Sequence, residues 1–244
     1  MTAAPGTRIK AAKTPRPSTR IVLRTRFPQL KGPALRAHAA AVYAELARLY
    51  PTAHCELDFR NPYELTVATI LSAQCTDKRV NMVTPPLFAA YADATALADA
   101  PLEHVEELVK TTGFFRAKAK NLIGMAQGVV ARHGGEIPAT MDELVVLPGV
   151  GRKTANVVLG NAFGSNVGVV VDTHVGRLAN RLGLTRATDA VKVEKALMPL
   201  IPRDDWTMFS HLLIWHGRQV CDARSPRCGI CTLRPRCPAA PLDQ

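Results

Sequence analysis

Nine residues, Leu147-Pro148-Gly149-Val150-Gly151-Arg152-Lys153-Thr154-Ala155, constrain the fold more tightly than any other part of the chain. They lie between two stretches of apolar periodicity that read as helices, so the backbone must reverse here within a few residues. Asp142 to Val146 reads as the end of a short helix, and Pro148 stops it because its ring cannot follow a helical residue cheaply. Gly149 and Gly151 supply the backbone freedom for a tight reversal. A second helix begins near Arg152, with Ala155, Val158, Leu159, Ala162 and Phe163 on one face. Lys153 lies about 200° round from Ala155, at about 3.6 residues per turn, and so points away from the buried face.

A helix–hairpin–helix of this kind presents the N–H groups of its turn and of the new helix's first residues to an anion. Gly149, Val150, Gly151 and Arg152 are the candidate contacts, and a nucleic-acid phosphate is the anion that needs no side chain to be read. An ordinary helical hairpin with a glycine turn is the competing reading. Pro-Gly-X-Gly followed directly by Arg-Lys favours phosphate.

The rest of the chain reads as helices joined by short Pro, Gly and Asp turns, an all-α pattern. Pro33 to Tyr50 is a first helix, and Asn61-Pro62 looks like an N-cap with proline at the first helical position. Asp77 is a candidate cap for a helix running from Lys78 to about Tyr91. Val167 to Val171 is the one plausible strand, too short to found a sheet. Residues 108–120 echo 144–156 at an offset of 36, with five of thirteen positions identical. The first copy would be a degenerate hairpin whose tip, Gly113-Phe114-Phe115, either packs in the core or leaves a ring free to wedge between bases.

Net charge is +11, but residues 1–44 hold nine Lys/Arg and no acid, leaving twenty-two basic against twenty acidic residues beyond them. DNA affinity of the folded part must therefore come from local placement of charge. Residues 1–32, with four prolines, read as a disordered basic arm, either a solvated tail or a weak electrostatic tether to DNA. No apolar run approaches the roughly 18 residues of a membrane span, and no signal peptide is legible. An intracellular, reducing setting is expected, in which clustered cysteines bind metal more readily than they pair.

Asp172 ends the valine run and stands at the N-cap of a helix carrying Val175, Leu178, Ala179 and Leu182. Most such aspartates only cap. One that stays ionised can also face a developing cation. Further on, Cys221, Cys228, Cys231 and Cys237 fall within seventeen residues as Cys-x6-Cys-x2-Cys-x5-Cys. Disulfides are disfavoured by compartment; zinc usually takes two short Cys-x2-Cys pairs, and here there is one. A single loop wrapping four thiolates around 4Fe–4S is favoured, with zinc still open. The loop Asp222 to Arg227 carries Arg224 and Arg227, which either solvate it or clamp a second phosphate.

LPGVGRKTANVV, a following VDTH and the four-cysteine spacing together resemble the endonuclease III family of DNA glycosylases over about residues 34–238. The resemblance implies two α-helical domains flanking a DNA-binding cleft: residues 55–165, with six helices and the hairpin, and residues 33–54 with 166–244, holding a 4Fe–4S cluster. It implies Lys153 as a Schiff-base nucleophile, Asp172 as the catalytic carboxylate and the four cysteines as cluster ligands. It also implies Gln74 filling the gap left by a flipped base, with Ser72 nearby, Phe114 wedging into the opposite strand, and His174 at the interface. Cys75 is expected to be a buried thiol and not a ligand. The expected activity is removal of oxidised pyrimidines from duplex DNA with strand cleavage by β-elimination at the abasic site. A monomer without membrane attachment goes with it, in the cytoplasm at the nucleoid if the source is bacterial. A sister enzyme that removes mispaired adenine lacks the lysine. A non-catalytic DNA-binding module or a DNA-bound electron carrier is the alternative from another class.

Overall fold

The computed structural model describes residues 29–241, so the basic arm of residues 1–32 lies outside it except for its last four positions. Eleven α-helices are described: α1 Gly32–Leu49, α2 Pro62–Leu71, α3 Asp77–Ala90, α4 Ala94–Ala98, α5 Leu102–Val109, α6 Phe115–His133, α7 Met141–Leu144, α8 Arg152–Ala162, α9 Thr173–Arg181, α10 Ala190–Leu197 and α11 Trp206–Gln219. No strand forms among the described residues. Val167 to Val171 is extended but unpaired by any ladder, and the buried Val170 N–H donates instead to Ser210 Oγ at 3.0 Å.

Local chemistry sets the helix starts. Asn61 Oδ1 accepts from the Glu64 N–H at 2.9 Å, with Pro62 behind it, and Asp93 Oδ1 accepts from Ala96 N–H at 2.8 Å. Each satisfies one of the donors a helix start leaves orphaned. The α3 start differs from the sequence expectation. Thr76 is the cap, its Oγ1 accepting from Arg79 N–H at 3.3 Å, and Asp77 is the first helical residue with its carboxylate left over.

Two hydrophobic cores form. One draws its buried side chains from Leu57 to Leu159, with Leu65, Leu87, Leu122, Met125 and Leu159 among the most enclosed. The other joins Ala39, Val42 and Leu46 of α1 to residues between Val169 and Leu233, around Phe209 of α11. The chain thus starts in the second core, leaves to build the first, and returns through the extended valines. Gly168 permits the return: a Cβ there would lie within bonding distance of the Glu194 carboxylate. A cavity is lined by residues of both groups, among them Leu57, Thr69, Val157, Val170, Ser210 and Ile214.

Candidate active site

Lys153 and Asp172 line that same cavity. Lys153 is the second residue of α8, solvent-exposed, on the side of the helix away from the buried Ala155, Val158 and Leu159. The positive end of the helix dipole disfavours a second positive charge at this place. Asp172 caps α9, its Oδ1 accepting from Val175 N–H at 2.8 Å. Among the described residues nothing donates to its other oxygen, which leaves that oxygen for a ligand. Capping and a second task are therefore compatible in one carboxylate.

A second carboxyl group belongs to the site. Asp77 is half-buried on the cavity wall, and burial raises its pKa; the Lys153 charge lowers it, Asp172 raises it and His174 lowers it. These four groups thus lie within electrostatic reach of one another. Arg218 of α11 donates from Nη2 to Asp77 Oδ2 at 2.7 Å and also pairs with Glu56. Burial lowers the Arg218 pKa, with Cys55 opposing. Sequence reasoning missed Asp77 as a site residue. The available signal was the Thr76-Asp77 pair: two capping residues in succession leave one free. Ser72 also lines the cavity, its hydroxyl donating to Thr69 O at 2.8 Å. His211, on the opposite wall, is held near pKa 4 by burial, with His54 adding, and its Nε2 lies 2.7 Å from Asn161 Oδ1. His174 is half-buried, its Nδ1 3.2 Å from Arg177 Nη2.

The hairpin residues divide into two kinds. Gly149 has φ +76° and its missing Cβ would sit 2.9 Å from Asn121, so only glycine fits. Gly151 has ordinary extended backbone at φ −88°, contrary to the expected need for freedom, and nothing lies within 4 Å of where a Cβ would be. The backbone at the start of α8 is therefore open on that face. Val150 is buried at 4%, and its N–H donates back to Leu147 O at 3.1 Å. Arg152 is engaged elsewhere: its guanidinium is bidentate to the buried Glu194, with Nε at 2.7 Å and Nη2 at 2.9 Å. Its charge locks α8 to α10, and only its backbone faces the hairpin mouth.

Gln74 and Phe114 are exposed loop residues, Phe114 at 70%. The next ring, Phe115, is half-buried with the Arg116 guanidinium 5.1 Å from its centroid. The two aromatics of the echoed hairpin are therefore split, one outward and one inward. Gly113 and Gly149, aligned in the echo, both have positive φ.

Comparison with known proteins fits this geometry. Residues 67–203 match the model of the HhH-GPD superfamily of base excision DNA repair proteins. An endonuclease III of Synechocystis sp. is 56% identical over 205 residues, spanning 84% of this chain and 94% of that one. The endonuclease III of Escherichia coli K12 is 38% identical over 202 residues, spanning 83% and 95%. The chain belongs to the endonuclease III family. A trapped covalent endonuclease III–DNA intermediate matches it with TM-score 0.81 and 43% identity, over 84% of this chain and 96% of that one. A thermostable thymine-DNA glycosylase shares the fold at TM-score 0.77 and 21% identity. As a member of this family the chain is a base excision repair enzyme, a DNA N-glycosylase with abasic-site lyase activity.

The cysteines set this chain apart from a plain helical bundle. All six are free thiols, so the disulfide alternative fails. Cys221, Cys228, Cys231 and Cys237 line one pocket. Among the described residues no three Cys, His, Asp or Glu side chains converge as they would on a single ion. The loop is held from α9 by two arginines that sequence reasoning did not single out. Arg181 donates to Asp222 O at 2.6 Å, to Ala223 O at 2.8 Å and to Cys221 Sγ at 3.2 Å. Arg177 donates to Cys221 O at 3.0 Å and Gly217 O at 3.1 Å. Asp222 Oδ1 accepts from the Arg224 and Ser225 N–H groups, and these bonds lower its pKa. Arg224 and Arg227 are left exposed on the loop so fixed. No helix among the described residues is long and apolar enough to cross a membrane.

Proposed function

We propose that Lys153 is the nucleophile and Asp172 its carboxylate partner in removing oxidised pyrimidines from duplex DNA. The carrying observation is that one cavity receives both side chains, Lys153 from the first turn of one helix and Asp172 from the cap of another. The neutral Lys153 amine attacks C1′ of a nucleotide turned out of the stack. The C1′–N bond breaks, the base leaves with a proton, and Asp172 stabilises the positive charge developing on the sugar. Ring opening gives an iminium between C1′ and Nζ. Loss of a C2′ proton then expels the 3′ phosphate and cuts the strand, and water releases the lysine.

Gln74 would occupy the space of the extruded base, Ser72 would stand beside it, and Phe114 would enter the opposite strand. His174 would lie at the same interface. The hairpin around Gly149 and Gly151 would take one phosphate and Arg224 with Arg227 another. Cys221, Cys228, Cys231 and Cys237 suit a 4Fe–4S cluster, since four thiols around a space fit an inorganic cube better than one zinc ion. Such a cluster would anchor the arginine loop. Residues 55–165 would form one domain, residues 33–54 with 166–244 the other, and the DNA would run across the cavity mouth. The enzyme would act as a monomer at the nucleoid of the cytoplasm.

Incubation with a duplex containing thymine glycol, followed by borohydride, tests the reading. Nicked product and a covalent adduct are expected, and Lys153→Ala should give no adduct. Tight binding without nicking would make the chain a binding module, and an undiminished adduct in Lys153→Ala would remove Lys153 from its role.

A further inference from the structure

Two loops share an uncommon backbone, and one amine joins them. Gln74 and Phe114 are the non-glycine residues with positive φ among the described residues, at 53° and 49°. Such strain persists only where the surroundings over-determine it. Lys118, in the first turn of α6, is 5% exposed. Its Nζ donates to Leu71 O and to Thr112 O, each at 2.8 Å. Leu71 ends α2 three residues before Gln74, and Thr112 stands two residues before Phe114. A single two-pronged donor therefore ties together the roots of both loops, 47 and 6 residues from itself in sequence.

An amine is an expensive way to fill a core, because the buried charge must be met by acceptors. Burial lowers the Lys118 pKa, with Cys75 opposing. The amine does not line the cavity of Lys153, and both of its partners are backbone carbonyls. It is thus neither a second nucleophile nor a DNA contact. Its bonds have one geometric effect, fixing the end of α2 against the turn that carries Phe114.

We propose that Lys118 is a positioning residue for base extrusion, holding Gln74 and Phe114 in fixed relation so that both enter the duplex together. This rests on the roles given above to Gln74 and Phe114. A wedge on a loop free to swing spends the binding energy on loop motion; a wedge on a braced loop spends it on unstacking.

The test uses the full chain and two duplexes, one with thymine glycol opposite adenine and one with a preformed abasic site, which has no base to unpair. Lys118→Met keeps the apolar stem and removes both donations. Its single-turnover rate should fall about a hundredfold on thymine glycol and stay within about threefold on the abasic site. Lys118→Arg, which still donates, should recover most of the loss. In a Phe114→Ala background the Lys118→Met change should cost little more, because both act on one step. Equal losses on the two substrates, additive losses with Phe114→Ala, an undiminished thymine-glycol rate or unfolding of both variants would overturn the positioning role. A wild-type protein that cleaves neither duplex would instead overturn the reading of the active site.

Discussion

Asp77 Oδ2 receives the Arg218 Nη2 donor at 2.7 Å, and this pairing fixes an acid of α3 against α11 on the wall that carries Lys153. Burial raises the Asp77 pKa above 3.8. Between pH 3.8 and the folded value the folded protein holds a proton that the unfolded chain has released, so the group's contribution is fullest below pH 3.8 and is lost as pH rises through the folded value. Asp77→Asn removes that titration and keeps an acceptor for Arg218. The variant should lose the part of the pH dependence of melting that Asp77 contributes above pH 3.8, and should cleave abasic DNA more slowly. Thermal melts across pH, beside a cleavage assay, check both halves.

Asp172→Asn separates capping from charge. Asparagine caps as well as aspartate, so stability should stay within about 0.5 kcal/mol. The charge opposite C1′ is gone, and glycosylase turnover should fall by about 10²–10³-fold. A urea midpoint and a single-turnover assay on one preparation read the two effects apart. A large drop in the midpoint with little change in turnover would return Asp172 to a purely structural role.

Phe114→Gly should trade activity for stability. The left-handed backbone costs a non-glycine residue about 1–2 kcal/mol, and the extra unfolded-state freedom of glycine takes back about 0.4–1. With the ring 70% exposed, little burial is lost. A net gain of about 0.5–1 kcal/mol is expected, with slower removal of a paired lesion. Denaturant unfolding gives the first quantity and excision kinetics the second.

Much of this architecture was legible because it is written locally. Asn61-Pro62 announced the start of α2, and Pro-Gly-Val-Gly the reversal before α8. The outward face of Lys153 followed from helical period alone. What stayed hidden depends on residues far apart in sequence. Arg152 looked like a free cation until Glu194, 42 residues on, placed two oxygens against it. Asp77 looked like a cap until Thr76 took that role. Arg177 and Arg181 reach carbonyls 40 or more residues away, and no local pattern marks a backbone carbonyl as a target.

His211 should give the fold an acid-sensitive edge. Its folded pKa of about 4 lies below the ordinary 6.5, so its neutral form is favoured by the fold. The stability it confers is complete above pH 6.5 and drains away as pH falls towards 4, by about 3 kcal/mol in all. Urea midpoints measured from pH 7 to pH 4 should decline accordingly, and His211→Gln, which can still donate to Asn161, should flatten part of the slope.

Arg181→Met should loosen the cysteine loop and leave the chemistry alone. Three of its donations end on Cys221, Asp222 and Ala223. The iron of the proposed cluster should be lost to a chelator several-fold faster, and DNA affinity should weaken as the proposed phosphate contacts of Arg224 and Arg227 lose their support. Cleavage at saturating abasic DNA should change little. Metal analysis after timed chelation and a binding titration make the comparison.

Helix α9 begins at the carboxylate of Asp172 and ends at the grip of Arg181 on the cysteine loop. The loop is consequently no detachable cassette. Transplanting it onto another helical scaffold would mean carrying this rod along, and with the rod half of the proposed catalytic pair.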